Sequence, residues 1–392
     1  MVQGDTLFLY GDRLYYDGLT QIAEMRCNVR MENRTTTLLT DSLNYDRVYN
    51  LGYFFDGGTL MDEQNVLTSE WGEYSPQTKQ SVFNYNVKLV NPQFTLTSDT
   101  LRYNTASKVA DIVGPSDIWS DANHIYSEKG TYNTVTGKAD LYDRSVLTNQ
   151  VKQLTGDSLL KQLTGDTLFY DRNTGVGEVF SRMVMTDTIN RNMLTGEYGY
   201  YNEQTDYAFA TDSAVAIDYS QGDSLFLHAD TLLMETFHQN TDSMFREMRA
   251  FHKVRFYRTD VQGTADSLVF STVDSCLTMY RDPIIWNKNQ QLLGEVIKVY
   301  MNDSTIDWSH IIGQALSVER VDSTIYNQVT GKEMKSYFTN GEMRKTEVIG
   351  SVRVVYYPMD YDSTLIGMNV SSSTSSLLSD GLRQYADRNE CI

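Results

Sequence analysis

Five acidic residues, Asp12, Asp41, Glu70, Asp99 and Glu128, stand 29 positions apart, and each is followed four positions later by tyrosine: Tyr16, Tyr45, Tyr74, Tyr103 and Tyr132. Tyrosine supplies only 27 of the 392 residues, so four further coincidences after the first have a chance of roughly 2 in 100,000, and the repeat is genuine. It continues less regularly, with Asp166 leading to Tyr170, Glu197 to Tyr201, Asp230 to Met234, Asp266 to Phe270 and Glu295 to Val299. A chain written this way folds as copies of one small unit rather than as a set of unrelated domains.

The acid, a Leu or Gly, and the aromatic occupy positions i, i+2 and i+4, the spacing that puts side chains on one face of a strand. Clusters of Asn, Thr and Gly follow, such as "NTASK", "NTVTG" and "RNTGVG", and their length suits a hairpin loop. A second alternating segment then leads to another turn. Two strands and two turns use up 29 residues and leave no room for a crossover helix, so the unit is a β-hairpin. One hairpin cannot bury its apolar face alone, and copies must stack edge to edge. The expected fold is an all-β, elongated antiparallel array. A parallel β-helix would not need a hairpin loop in each copy, and a propeller blade needs about 40 residues.

Leu14, Leu43, Leu101, Leu168, Leu232 and Leu268, with Tyr16, Tyr45, Tyr103, Tyr170 and Phe270 two places later, are predicted to line the inner face. Copies led by Glu carry Gly where those led by Asp carry Leu, at Gly72, Gly130 and Gly199; glycine there makes room inside. The period breaks near "KQLTGDSLLKQLTGD" (152–166), a nine-residue duplication. This places an array at 1–147, an irregular junction at 148–165 and a second array at 166–360. The Ser-rich stretch 361–392 is predicted to be a flexible, truncated tail. "TDSMFREMRAFHKVRF" (241–256) lies where the interval lengthens to 36 and reads as an inserted loop or short helix.

Lys plus Arg number 33 against 51 Asp plus Glu, and the net charge of -18 excludes nucleic acid as a partner. No apolar run reaches the ~18 residues of a membrane helix, so no transmembrane segment is expected, and the start "MVQGDTLFLY" lacks the form of a secretion signal. Cys27, Cys276 and Cys391 show no metal-ligand spacing, and the recurring acids lack the Gly-rich pattern of calcium-binding solenoids. Strand-entry acids of this kind cap turns. His124, His228, His238, His252 and His310 sit beside no nucleophile motif. No catalytic constellation, cofactor or metal site is expected.

The rhythm D-x-L-x-Y, with the blocks "KVRFYRTDVQGTADSLVFSTVDSCLTMYRDPIIW" (253–286), "QLLGEVIKVY" (291–300) and "YNQVTGKEMKSYF" (326–338), resembles the OstA repeat of the lipopolysaccharide-transport protein A superfamily, in its large Gram-negative form. The resemblance implies an antiparallel β-jellyroll open along one side, a periplasmic location with a leader ahead of Met1, and a role in carrying lipopolysaccharide between membranes. Its implied partners are lipopolysaccharide and other jellyroll transport proteins, or a second copy, joined by edge-strand augmentation. Acyl chains lose apolar burial worth ~0.8 kcal/mol per methylene on leaving a bilayer, and a trough lined by Leu and aromatic rows offsets that loss. The acidic balance then requires anionic head groups to stay outside the trough or to be bridged by divalent cations. The competing expectation is a structural or protein-interaction scaffold with a closed core.

Overall fold

The computed structural model describes residues 2–3, 6–120, 123–152, 158–220, 222–239, 241–302, 305–339, 342–360 and 364–379. They form thirty-one strands, with no helix among the described residues. Every strand pairing with a described register is antiparallel. The chain divides into two compact units, residues 1–190 with 198–204, and 191–197 with 205–392.

In the first unit each long strand serves two sheets in turn. Thr36–Asp46 is typical: Thr36 to Thr40 pair with Asp62 to Gly58 in one sheet, while Asn44 to Asp46 pair with Tyr53 to Leu51 in the other. The bend between the halves falls at the recurring acid. Opposite Asp41 the strand Ile22–Asn33 carries an extra residue, and its pairing jumps from Arg26↔Ser42 to Val29↔Thr40. The bulged residues Cys27 and Asn28 both take positive φ, 62° and 51°. The same paired left-handed residues return 58 positions on at Tyr85 and Asn86, and again at Asp143 and Arg144. A bulge of this kind bends and twists the strand that holds it, and its regular return folds one ribbon into two facing sheets.

The acids therefore mark corners: Asp12, Glu70 and Glu128 stand at strand entries as the sequence suggested, whereas Asp41, Asp99 and Asp166 lie in mid-strand. Asp41 accepts the Asn28 main-chain N–H at 3.2 Å, Asp12 accepts Asn28 Nδ2 at 2.7 Å, and Glu70 accepts Asn86 Nδ2 at 2.5 Å. Arg182 reaches Asp166 in the same way. Asp12, Asp41 and Glu70 are exposed and Asp166 is half-buried, and each of these four ties down the bulge opposite it, which is a structural task.

Turns close the hairpins where the Asn/Thr/Gly clusters were found. Asn104 Oδ1 accepts the N–H groups of Ala106 and Ser107, and Asn133 and Asp171 repeat the arrangement. Successive turns also interlock through main-chain bonds, Thr105 N–H to Lys79 O and Thr134 N–H to Lys108 O. Glycine at the corner-plus-two position makes room, as predicted: a Cβ on Gly72 would stand 2.6 Å from the Phe54 ring, and one on Gly199 2.7 Å from the Met183 side chain.

The expected junction at 148–165 is not a break in the pairing. Lys138–Lys152 and Ser158–Asp171 form one ladder from Lys138↔Asp171 to Lys152↔Ser158, and residues 153–157 lie outside the described residues. The nine-residue duplication lengthens this hairpin, which is why the acid interval grows to 38 between Glu128 and Asp166. The compact units part in the 190–205 region instead.

The second unit repeats the corner device at Asp212–Ser213, His252–Lys253 and Arg281–Asp282. Its interior uses smaller side chains: Ala208, Ala210, Ala214, Ala229 and Ala250 are wholly buried beside Leu232, Leu268, Ile297 and Val348. The expected loop or short helix at 241–256 is mostly strand. Phe245–Tyr257 pairs on both sides, with Leu225–Phe237 and Val261–Ser271, and the longer hairpin arms absorb the wider interval. Nor is 361–379 wholly a tail, because Asn369–Ser379 forms a ladder with Glu342–Tyr356. Its Ser and Thr residues need no apolar partner to join a sheet by main-chain bonds. Residues 361–363 and 380–392 lie outside the described residues.

Candidate functional site: an apolar interior closed by a polar seam

The interior of the first unit is built from the residues the repeat singles out. Leu43, Tyr45, Leu101, Tyr103 and Leu168 are completely buried, and Tyr170 nearly so. The facing sheet meets them with Leu38, Leu60, Leu67, Leu89 and Leu96. Alternation accounts for the rows, since in-register residues two apart on neighbouring strands share a face. Leu14 and Tyr16 continue the rows opposite Met25 and Ala23, yet they are 52% and 42% exposed, because among the described residues Arg13–Asp17 pairs on one side only, with Ile22–Asn33. Arg47 lies over the Tyr16 ring and donates to its hydroxyl at 3.1 Å. In the second unit Leu232 and Leu268 are buried and Phe270 is half-buried.

The two sheets are joined at the corners by the main chain, which crosses there within one strand or over a short break between two. On the opposite side, where the resemblance implies an opening, the hairpin turns of one sheet meet those of the other through side chains. Asn33 Nδ2 donates to the Tyr74 hydroxyl at 3.1 Å and to Pro76 O at 3.2 Å. Next along the seam, the Tyr103 hydroxyl donates to Asp62 Oδ2 at 2.8 Å and accepts from Asn65 Nδ2 at 2.8 Å. Lys108 Nζ reaches both Asp62 oxygens at 2.8 Å, and Asn65 Nδ2 also donates to Thr134 Oγ1 at 3.0 Å. Further on, Arg172 binds the Tyr132 hydroxyl and Gln93 Oε1. Then Asn123 Nδ2 donates to the Tyr170 hydroxyl at 2.7 Å, and Glu203 gathers Tyr170, Asn123 and Asn149.

Each tyrosine thus plants its ring in the interior and its hydroxyl in the seam. Burial, reinforced by the Asp62 carboxylate, raises the Tyr103 hydroxyl pKa far above the ordinary tyrosine range. Burial and then Glu203 do the same to Tyr170. At Tyr132 burial raises the pKa while Arg172 opposes the shift. The hydroxyls stay neutral, those of Tyr103 and Tyr170 donating to carboxylates and that of Tyr132 accepting from Arg172.

The sequence reading missed Asn33, Asp62, Asn65, Lys108, Arg172, Asn123 and Glu203. The histidines occupy ordinary places: His124 pairs with Asp117 at 2.7 Å and stacks on Trp119, and His310 pairs with Glu333. Among the described residues no three metal-ligating side chains gather, and no helix is long and apolar enough to cross a membrane.

Against known families, the sequence model of the OstA-like proteins matches residues 1–99 and 93–157. The first 157 residues are OstA-like. This OstA-like stretch covers the most regular copies of the repeat, those led by Asp12 through Glu128, and with them the Tyr74, Tyr103 and Tyr132 stretches of the seam. Ten solved chains match in structure. One is LptH from Pseudomonas aeruginosa, the LptA-homologous periplasmic component of the lipopolysaccharide transport device. It is 13% identical, with a TM-score of 0.24, over 25% of this chain and 76% of LptH. The OstA-like assignment rests on the sequence match. No curated protein sequence matches the chain.

Proposed function

We propose that the chain is a non-enzymatic component of lipopolysaccharide transport in the periplasm, shielding acyl chains between its two sheets. The observation that supports this most directly is the buried tyrosine row Tyr45, Tyr74, Tyr103, Tyr132 and Tyr170, with leucine beside it at Leu43, Leu101 and Leu168, in a unit most of which matches the OstA-like sequence model. A lipid-facing lining of Leu14, Tyr16, Leu43, Tyr45, Leu101, Tyr103, Leu168, Tyr170, Leu232, Leu268 and Phe270 is part of the proposal. Lys79 and Arg172 stand on turns along the seam, where an anionic head group would rest, while Lys108 is engaged by Asp62. No covalent step is needed. Exposed edge strands at Arg13–Asp17 and Asn369–Ser379 suit augmentation by another jellyroll or by a second copy.

One observation favours a second reading. Leu43, Leu101 and Leu60 are fully buried against protein, the packing of a closed scaffold core. Mass spectrometry of lipids co-purifying from a lipopolysaccharide-producing host separates the two. Diglucosamine lipid in stoichiometric amount is the expected result, and purified protein free of lipid supports the scaffold.

A further inference from the structure

The interior of the first unit has two long borders of different kinds. At the corner border the main chain itself passes from one sheet to the other at each rung, within one strand in Ile22–Asn33, Thr36–Asp46, Gln80–Asn91 and Phe94–Asn104 and across a break of one to three residues in the rungs between them, and parting the sheets there would tear main-chain ladders. At the seam border the sheets touch through side chains, and nearly every bond that crosses is polar. We propose that the seam is a lateral gate: Asn33–Tyr74, Asp62–Tyr103–Lys108, Gln93–Arg172 and Asn123–Tyr170–Glu203 are releasable latches between which acyl chains enter and leave the interior. The inference rests on the lipid-carrying reading and adds the route.

Three features make these bonds releasable. The turns that carry them hold their own shape, with Lys108 N–H bonded to Asn104 O and Gly137 N–H to Asn133 O, so unlatching leaves the hairpins intact. The latch groups are hydroxyls, amides and charges, which water or a lipid head group satisfies once the seam parts. Tyrosine is suited to the position in both states, because its ring belongs to the apolar side and its hydroxyl to the wet side. Tyr74, Tyr103 and Tyr132 recur at the repeat interval of 29, so the latches form a row that an amphiphile meets one after another. The fully buried interior is the closed state of such a gate.

The test joins the seam covalently. Asn65 and Thr134, in contact across it at 3.0 Å, become a cysteine pair, Asn65→Cys with Thr134→Cys, in a chain that also carries Cys27→Ser, Cys276→Ser and Cys391→Ser. Dibromobimane bridges the pair, and loading is followed with lipid A bearing an environment-sensitive fluorophore on an acyl chain. Bridging is expected to slow loading at least tenfold relative to the unbridged protein of the same sequence. Equal loading in both states overturns the gate while leaving the lipid-carrying reading standing, and no loading of the unaltered protein removes both. A readout without lipid comes from spin labels at Pro92→Cys and Val135→Cys on the two sides of the seam. Tyr103→Phe, checked for an unchanged far-ultraviolet spectrum, is expected to broaden the distance distribution, and an unchanged narrow distribution counts against the gate.

Discussion

Tyr103 carries two roles in one side chain. Its ring is buried among the leucines, and its hydroxyl joins Asp62, Asn65 and, through them, Lys108 and Thr134. Removing only the oxygen, as in Tyr103→Phe, leaves Asp62 and Asn65 each short of a partner and should cost about 1–2 kcal/mol in chemical denaturation. Lys108→Met should cost more, about 3 kcal/mol, because the wholly buried Asp62 carboxylate then loses its counter-charge. Leu101, two positions before Tyr103, tests the interior itself. Leu101→Lys buries an ammonium among apolar side chains and should lower the melting temperature of the first unit by many degrees, whereas Ala106→Lys on the exposed turn should leave it within a degree or two. Equal melting of the two variants would show that position 101 has access to solvent.

At the scale of the element, the strand that turns a corner explains both what the sequence revealed and what it hid. The spacing of Asp41, Leu43 and Tyr45 announced a strand and its inward face, because alternation is local. The hairpin turns were legible for the same reason, from Asn104, Asn133 and the clusters after them. The corner was not, because it depends on two left-handed residues at Cys27 and Asn28 lying opposite Asp41, thirteen or more positions away. The seam was further out of reach: Asn33 meets Tyr74 across 41 positions and Asn123 meets Glu203 across 80, and neither pair leaves a periodic mark. Gly72 was noticed through its correlation with Glu70, but its reason is the Phe54 ring on the neighbouring strand. Gly72→Val should therefore displace that ring and destabilise the first unit by about 1–3 kcal/mol. Wild-type stability in Gly72→Val would mean that the space beside Phe54 is not filled.

For the whole molecule, the repeated tyrosines predict a response to alkali. The Tyr103 and Tyr170 hydroxyl pKa values are raised by burial and by neighbouring carboxylates, while tyrosines of the unfolded chain ionise near pH 10. Above about pH 10 the folded state holds more protons than the unfolded one, so stability present below that pH is lost as pH rises. Denaturant midpoints measured from pH 8 to 11 should fall above pH 10, and Tyr103→Phe should flatten the fall. The same tyrosines bear on the proposed transport, since their ionisation in alkali would loosen the latches proposed to close the interior. The most direct test of an interior that carries acyl chains is to grow a lipopolysaccharide-producing host on a diazirine-bearing fatty acid, irradiate the cells, and map the adducts on the purified chain. The account predicts adducts carrying the lipid at the inward positions Leu43, Tyr45, Leu101 and Tyr103. Adducts confined to exposed side chains such as Tyr49 and Val135, or none at all, would contradict it.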